Sequence, residues 1–174
     1  MSSVPTLTGG FVFVCLAISG CTLQGAFVED TRLTILNPED RAEVRLPLTL
    51  DWEVSEFEIA PPGPGESDDR GFFAIFVDRA PMPPGEDLES LAESDLECRR
   101  DPQCPDRDWF ARHGVFYTTD TTFQIETLSD TRPIERPEAV DRHEITIVLV
   151  TGRGERIGET AFSVEFDVVR ETPP

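Results

Sequence analysis

Between residues 44 and 54 apolar side chains fall on every second position, at Val44, Leu46, Leu48, Leu50, Trp52 and Val54, with Arg45, Thr49, Asp51 and Glu53 among the residues between. A period of two is that of a strand with one face buried. Pro47 has no N–H for a ladder, so it places the start of this strand at an edge or a bulge. Upstream, Leu33 and Ile35 alternate with Thr34 and Leu36 as far as Asn37-Pro38-Glu39-Asp40, which reads as a first strand closed by a turn. Downstream, residues 72–77 are apolar at every position, as expected of a strand covered on both faces. Residues 115–117 and 122–126 add two strands separated by Thr119-Asp120. The clearest hairpin closes the chain, with Ile145, Ile147 and Leu149 before a turn containing Gly152-Arg153-Gly154, and Phe162, Val164, Phe166 and Val168 after it.

The connections are as informative as the strands. Residues 60–69 read as a loop, because Pro61-Pro62-Gly63-Pro64-Gly65 cannot sustain a ladder and Glu66, Asp68 and Asp69 are costly to bury. Residues 129–141 form a second, polar loop. The connection at 79–114 is far longer than the few residues that usually join strands in a compact domain. Within it Leu88, Leu91, Ala92 and Leu96 fall at helical spacing behind Glu86-Asp87. A second short helix is expected to open at Pro105, carry Trp109 and Phe110, bear Arg112 and His113 near its negative end and stop at Gly114. About seven short strands without a long amphipathic helix predict an all-β fold: a single antiparallel β-sandwich over residues 31–169, with one long inserted loop, 79–114, carrying short helices.

The first thirty residues have a different character. Residues 11–18 form a short apolar core followed by Ser19-Gly20, and no charge occurs before Glu29. That core is too short to span a bilayer, which takes about 20 apolar residues, and it has the form of a signal peptide with its cleavage site. Ile18-Ser19-Gly20-Cys21 resembles the lipobox of bacterial lipoproteins, apart from the missing basic residue at the start. The resemblance implies a signal peptide over residues 1–20, lipidation of Cys21, and a lipid-anchored tether over 21–30 that holds the domain close to a membrane. Thr22 is not the aspartate of an inner-membrane retention signal, so the expected location is the cell envelope, at the outer membrane where the host has one. With Cys15 removed and Cys21 acylated, Cys98 and Cys104 remain, and an oxidising compartment would join them. The competing reading is a zinc site on Cys98, Cys104 and His113, which lacks an evident fourth ligand and matches no common structural-zinc spacing.

A net charge of -19, with every basic residue an arginine, sets the chain against nucleic acid and anionic lipid headgroups as partners. Glu66-Ser67-Asp68-Asp69 clusters hard oxygen donors but lacks the alternation and glycine of an EF-hand loop, and reads as a solvated loop. Neither His113 nor His143 sits in a nucleophile motif; the first reads as the charged end of a short helix, the second as a strand-start residue with a hydrogen-bonded ring. No catalytic residue, metal or cofactor is assigned. Leu48-x-Leu50-x-Trp52 and the closing hairpin are similar to the second strand and last two strands of fibronectin type III and bacterial immunoglobulin-like domains. His143 stands where that family usually has a tyrosine, and the 79–114 insertion has no counterpart in it. The resemblance implies a non-catalytic binding or scaffold module; the alternative, resting on the insertion and not on the resemblance, is an accessory subunit of a larger envelope assembly docking through residues 79–114. Met82, Trp109 and Phe110 are the candidate partner contacts there, as rigid apolar anchors; the alternative is that Trp109 and Phe110 pack the helix down as a cover over an open sheet edge. The tail, 170–174, is expected to be exposed.

Overall fold

The computed structural model describes residues 30–133, 135 and 139–170. The stretch expected to be a signal peptide, Cys21, the expected tether before Asp30 and the tail after Arg170 lie outside the described residues; Arg170 itself is half-buried and donates to the Leu128 carbonyl, so it is not part of an exposed tail as expected. The chain is mostly strand with little helix: β1 (Leu33–Asn37), β2 (Ala42–Val44), β3 (Leu48–Val54), β4 (Glu58–Ile59), β5 (Arg70–Val77), α1 (Arg107–Arg112), β6 (Val115–Thr118), β7 (Thr122–Ile125), β8 (Arg142–Thr151) and β9 (Phe162–Val168). Among the described residues no helix is long and apolar enough to cross a membrane.

The strands form two sheets. The smaller has the order β1-β3-β7; the larger has the order β2-β9-β8-β5-β4, with β6 also on β5. The alternation that reads as one strand from Val44 to Val54 is divided. Val44 pairs with Val168 of the larger sheet, Leu48 with Ile125 of the smaller, and the chain crosses between them at Arg45-Leu46-Pro47, where the proline has no N–H to give either ladder. The larger sheet is mixed and not wholly antiparallel as expected, since β2 runs parallel to β9 and β4 parallel to β5. Both parallel pieces are short edge segments, and alternation within a segment carries no information on direction.

Side chains of both sheets meet in one buried cluster: Leu33, Leu48, Leu50, Trp52 and Ile125 from the smaller, with Phe73, Ile75, Ile145, Ile147, Leu149, Val164, Phe166 and Val168 from the larger. Trp52 and Phe73 meet edge to face, with ring centres 5.2 Å apart, a geometry that adds to the burial of both rings. Strand geometry sends alternate residues to the opposite face. Accordingly Phe72, Ala74 and Phe76 of β5 and Val148 and Val150 of β8 point away from this cluster into a second one.

Residues 79–114 supply the other half of that second cluster, through Met82, Leu88, Ala92, Cys98, Trp109 and Phe110. The first helical stretch is a 3-10 turn, Leu88–Ala92, capped by the Asp87 carboxylate on the Ser90 N–H. Its period ends at Ala92, and Leu96 is 57% exposed. The second helix, α1, begins after Asp106, whose side chain accepts from the Trp109 N–H at 2.7 Å. Asp106 is thus the N-cap and Pro105 precedes it, so the proline does not open the helix as expected. Cys98 and Cys104 are joined in a disulfide. Gly114 ends the insertion at φ 69°; a side chain there would put its Cβ 2.7 Å from the Val77 carbonyl oxygen, so only glycine fits. Arg156, buried at the foot of the closing hairpin, donates to the carbonyls of Met82 and Glu159 and ties the insertion to the sheet.

Candidate functional site

β6 and β7 are separated by only three residues, yet β6 joins β5 in the larger sheet and β7 joins β3 in the smaller. Among the described residues each is paired on one side only. The two strands diverge from a contact between Phe116 and Phe123, whose ring centres are 5.1 Å apart. Beside this contact a groove of about 680 Å³ opens, walled by residues 77–79 and 111–114 on the insertion side and by residues 123–129 and Thr131 on the β7 side. Half-buried Phe116, Phe123 and Leu128 give it an apolar floor, and Glu126, Thr127 and Ser129 are exposed on its β7 side.

The insertion-side wall is held by a chain of polar contacts. Asp78 has φ 53°, a left-handed conformation that non-glycine residues rarely adopt. Its backbone N–H donates to the Glu144 carbonyl at 2.9 Å, and its carboxylate accepts from the Glu144 N–H at 3.0 Å and from His143 Nδ1 at 2.7 Å. The His143 ring is wholly buried, and its Nε2 lies 3.2 Å from Asp141 Oδ1, at ion-pair distance but outside hydrogen-bond geometry. Asp141 accepts in turn from the Thr131 N–H and hydroxyl and from Arg170 Nε. Burial raises the Asp141 pKa, but these donors outweigh it and hold the carboxyl below the ordinary range. Four segments distant in sequence are thereby tied together at the foot of the groove.

Two arginines stand on the same wall. Arg79 donates through Nη1 to the His113 carbonyl at 3.0 Å, and Arg112 is exposed at the end of α1. Arg32, Arg41, Arg70, Arg132, Arg142, Arg153 and Arg170 each have a carboxylate at ion-pair distance; Arg79 and Arg112, like Arg45, Arg99, Arg100, Arg107 and Arg156, have none among the described residues. Two arginines against one carboxylate, Asp78, give this wall a net positive charge in a strongly acidic chain, with Glu126 facing it from the β7 side.

The residues expected to contact a partner are placed elsewhere. Met82, Trp109 and Phe110 are 1%, 5% and 6% exposed and pack into the second cluster, beneath the face of the larger sheet and not at its edge. Trp109 Nε1 donates to Asp95 at 2.9 Å. His113 Nδ1 lies 2.7 Å from the Trp109 carbonyl, with its ring stacked on the indole at 4.0 Å, so it is engaged away from the cysteines. In the acidic loop Glu66 pairs with Arg153, Asp69 accepts from the Ser67 hydroxyl, and the Asp68 carbonyl accepts from Arg32. Among the described residues no three His, Cys, Asp or Glu side chains are placed to hold a metal.

Sequence pattern missed Asp78, Arg79, Arg112, Phe116 and Phe123 as a group. The one signal was the three-residue link between two apolar strands, which does not say that the strands part to different sheets. Comparison with family models, curated proteins and solved structures finds no match for this chain.

Proposed function

We propose that this chain is an envelope lipoprotein, anchored through Cys21, whose domain is a β-sandwich of the fibronectin type III or bacterial immunoglobulin-like kind and serves as a non-catalytic binding module. The groove between β6 and β7 is its contact site. The observation that carries this reading is the groove itself: an apolar floor converges with two strand edges and two arginines that have no strand or carboxylate partner there among the described residues. The shared cluster of the two sheets and the β8–β9 hairpin support the sandwich. The positions of both histidines support the absence of catalysis, since His143 is sealed between two carboxylates and His113 lies against Trp109. The commitment of Met82, Trp109 and Phe110 to intrachain packing moves the expected contact from the insertion's aromatic residues to the groove.

The test is extraction of the native membrane in mild detergent and recovery of the chain with whatever it holds, for the wild type and for Thr127→Trp. That substitution fills the groove from an exposed position. Loss of a stoichiometric envelope partner at unchanged melting temperature supports the reading, and equal recovery defeats it. For the anchor, Cys21→Ser should move the chain to the soluble fraction or leave its precursor uncut; membrane retention of the processed serine variant at wild-type levels would refute lipidation.

A further inference from the structure

Resting on that reading of the groove, we infer that its occupant is an extended acidic peptide segment of a partner protein, which adds as a strand along the free edge of β7 and sets a carboxylate against Arg79 and Arg112. Three observations select this occupant. β7 ends the smaller sheet, and residues 122–125 pair with β3 on one side only among the described residues. The backbone N–H and C=O groups on the other side of such a strand are a ready template for a further strand, the mode in which main-chain hydrogen bonds give affinity and alternate side chains give selectivity. A globular surface or a compact small molecule would leave this row of donors and acceptors without partners.

The second observation is apolar. An added strand directs every second side chain to one face, and the half-buried rings of Phe116 and Phe123, with Leu128 beyond them, lie where those side chains would land. The four residues of β7 make room for a segment of about 13 Å, at ~3.3 Å per residue. Such a contact is small and suits reversible association.

The third observation is charge complementarity. The chain carries -19 overall and repels acidic partners over most of its surface. Arg79 and Arg112 stand against one carboxylate on this wall, Asp78, and give it a net positive charge, while Glu126 lies across the groove on the β7 side. A carboxylate is the group that takes both arginines, and a guanidinium without a competing ion pair is free to accept it in a two-point contact.

The experiment uses the full chain in detergent micelles and fluorescein-labelled probes of six residues that alternate valine and threonine, with one glutamate moved through the polar positions. The expected result is binding with Kd below about 1 mM by at least one probe. N-methylation of alternate amides in that probe should abolish binding, and amide exchange should slow within residues 122–125. Arg112→Glu should weaken the same probe by about tenfold, and an arginine in place of the probe's glutamate should restore affinity for that variant. Thr127→Trp should block all probes. If N-methylated and unmodified probes bind alike, strand addition is overturned while the groove remains a binding site by side-chain contact. If no probe binds, or if binding is indifferent to Thr127→Trp, the peptide occupant is overturned, and the envelope pull-down alone then decides whether the groove binds anything. Concentration-dependent dimerisation lost in Thr127→Trp would assign the edge to a second copy of this chain and overturn the proposal.

Discussion

The two buried clusters share two strands and differ in everything else. β5 and β8 send Phe73, Ile75, Ile147 and Leu149 to the cluster between the sheets, and Phe72, Phe76, Val148 and Val150 to the cluster beneath the insertion. The first cluster is completed by strands from the whole length of the chain, whose contacts form only when both sheets are in register. The second is completed by Val115 of β6 and by one contiguous stretch, residues 82–110, organised locally by the Asp87 and Asp106 caps and the Cys98–Cys104 disulfide. Cooperative units of a protein can open separately when one is organised by its own local contacts. The insertion is therefore a unit that can lose order while the sheets persist, whereas loss of the sheets removes the surface on which the insertion rests. The chain has two tryptophans, Trp52 in the first cluster and Trp109 in the second, so each cluster carries its own fluorescent reporter.

The most damaging change should be Phe73→Ala. The ring is fully buried and meets both Trp52 and Phe57, so its removal leaves a void lined from both sheets. A cost of about 4 to 5 kcal/mol is expected, with the Trp52 and Trp109 signals lost in a single denaturant transition. Trp109→Ala should cost less, about 3 kcal/mol, because its neighbours are a short helix and two turns that can close over part of the gap. Hydrogen exchange should show protection lost across residues 82–113 and kept in β3, β5 and β8. Protection lost uniformly in Trp109→Ala would show that the two clusters form one cooperative unit and that the comparison is false. Third comes the disulfide. Cys98→Ser with Cys104→Ser opens a small ring and should cost about 2 kcal/mol, read as a lower midpoint for Trp109 with that of Trp52 unchanged.

This division also explains what was legible in the sequence. Period-two alternation located β1, β3 and the β8–β9 hairpin, and the unbroken apolar run of β5 announced a strand covered on both faces, because each pattern reports the local burial of consecutive residues. What covers the second face was not legible: Trp109 and Phe110 are apolar whether they pack on the chain's own sheet or await a partner. Partner strands were not legible either. The Val44–Val54 alternation does not show that Val44 and Leu48 join different sheets, nor does Val115–Ile125 show that β6 and β7 part company. The groove exists only because of those two assignments. Its polar wall needs Asp78, Asp141, His143 and Arg170 together, four residues that only the long-range topology brings into contact.

The smallest expected effect tests the comparison through a single hydrogen bond. Asp95 accepts from Trp109 Nε1 and from the backbone N–H groups of Cys98 and Glu97, and these donors hold its carboxyl below the ordinary value of 3.8. A carboxyl depressed in the folded state contributes stability that is fully present at neutral pH and is lost as pH falls below 3.8 toward the folded pKa. Trp52 is different, since its Nε1 has no hydrogen-bond partner among the described residues. Two variants with one tryptophan each, Trp52→Phe and Trp109→Phe, separate the signals. In Trp52→Phe the remaining Trp109 emission should begin to change as the pH drops below about 4, ahead of the Trp52 emission followed in Trp109→Phe. Asp95→Asn in the Trp52→Phe background should remove that early change, because an amide does not titrate, although its single acceptor oxygen serves either the indole or the backbone N–H groups and not both. Simultaneous change of both reporters with Asp95 intact would mean that acid acts first on the cluster between the sheets. Asp30 and Asp141, whose carboxyls are also held low, would then be the groups whose protonation starts the loss of structure.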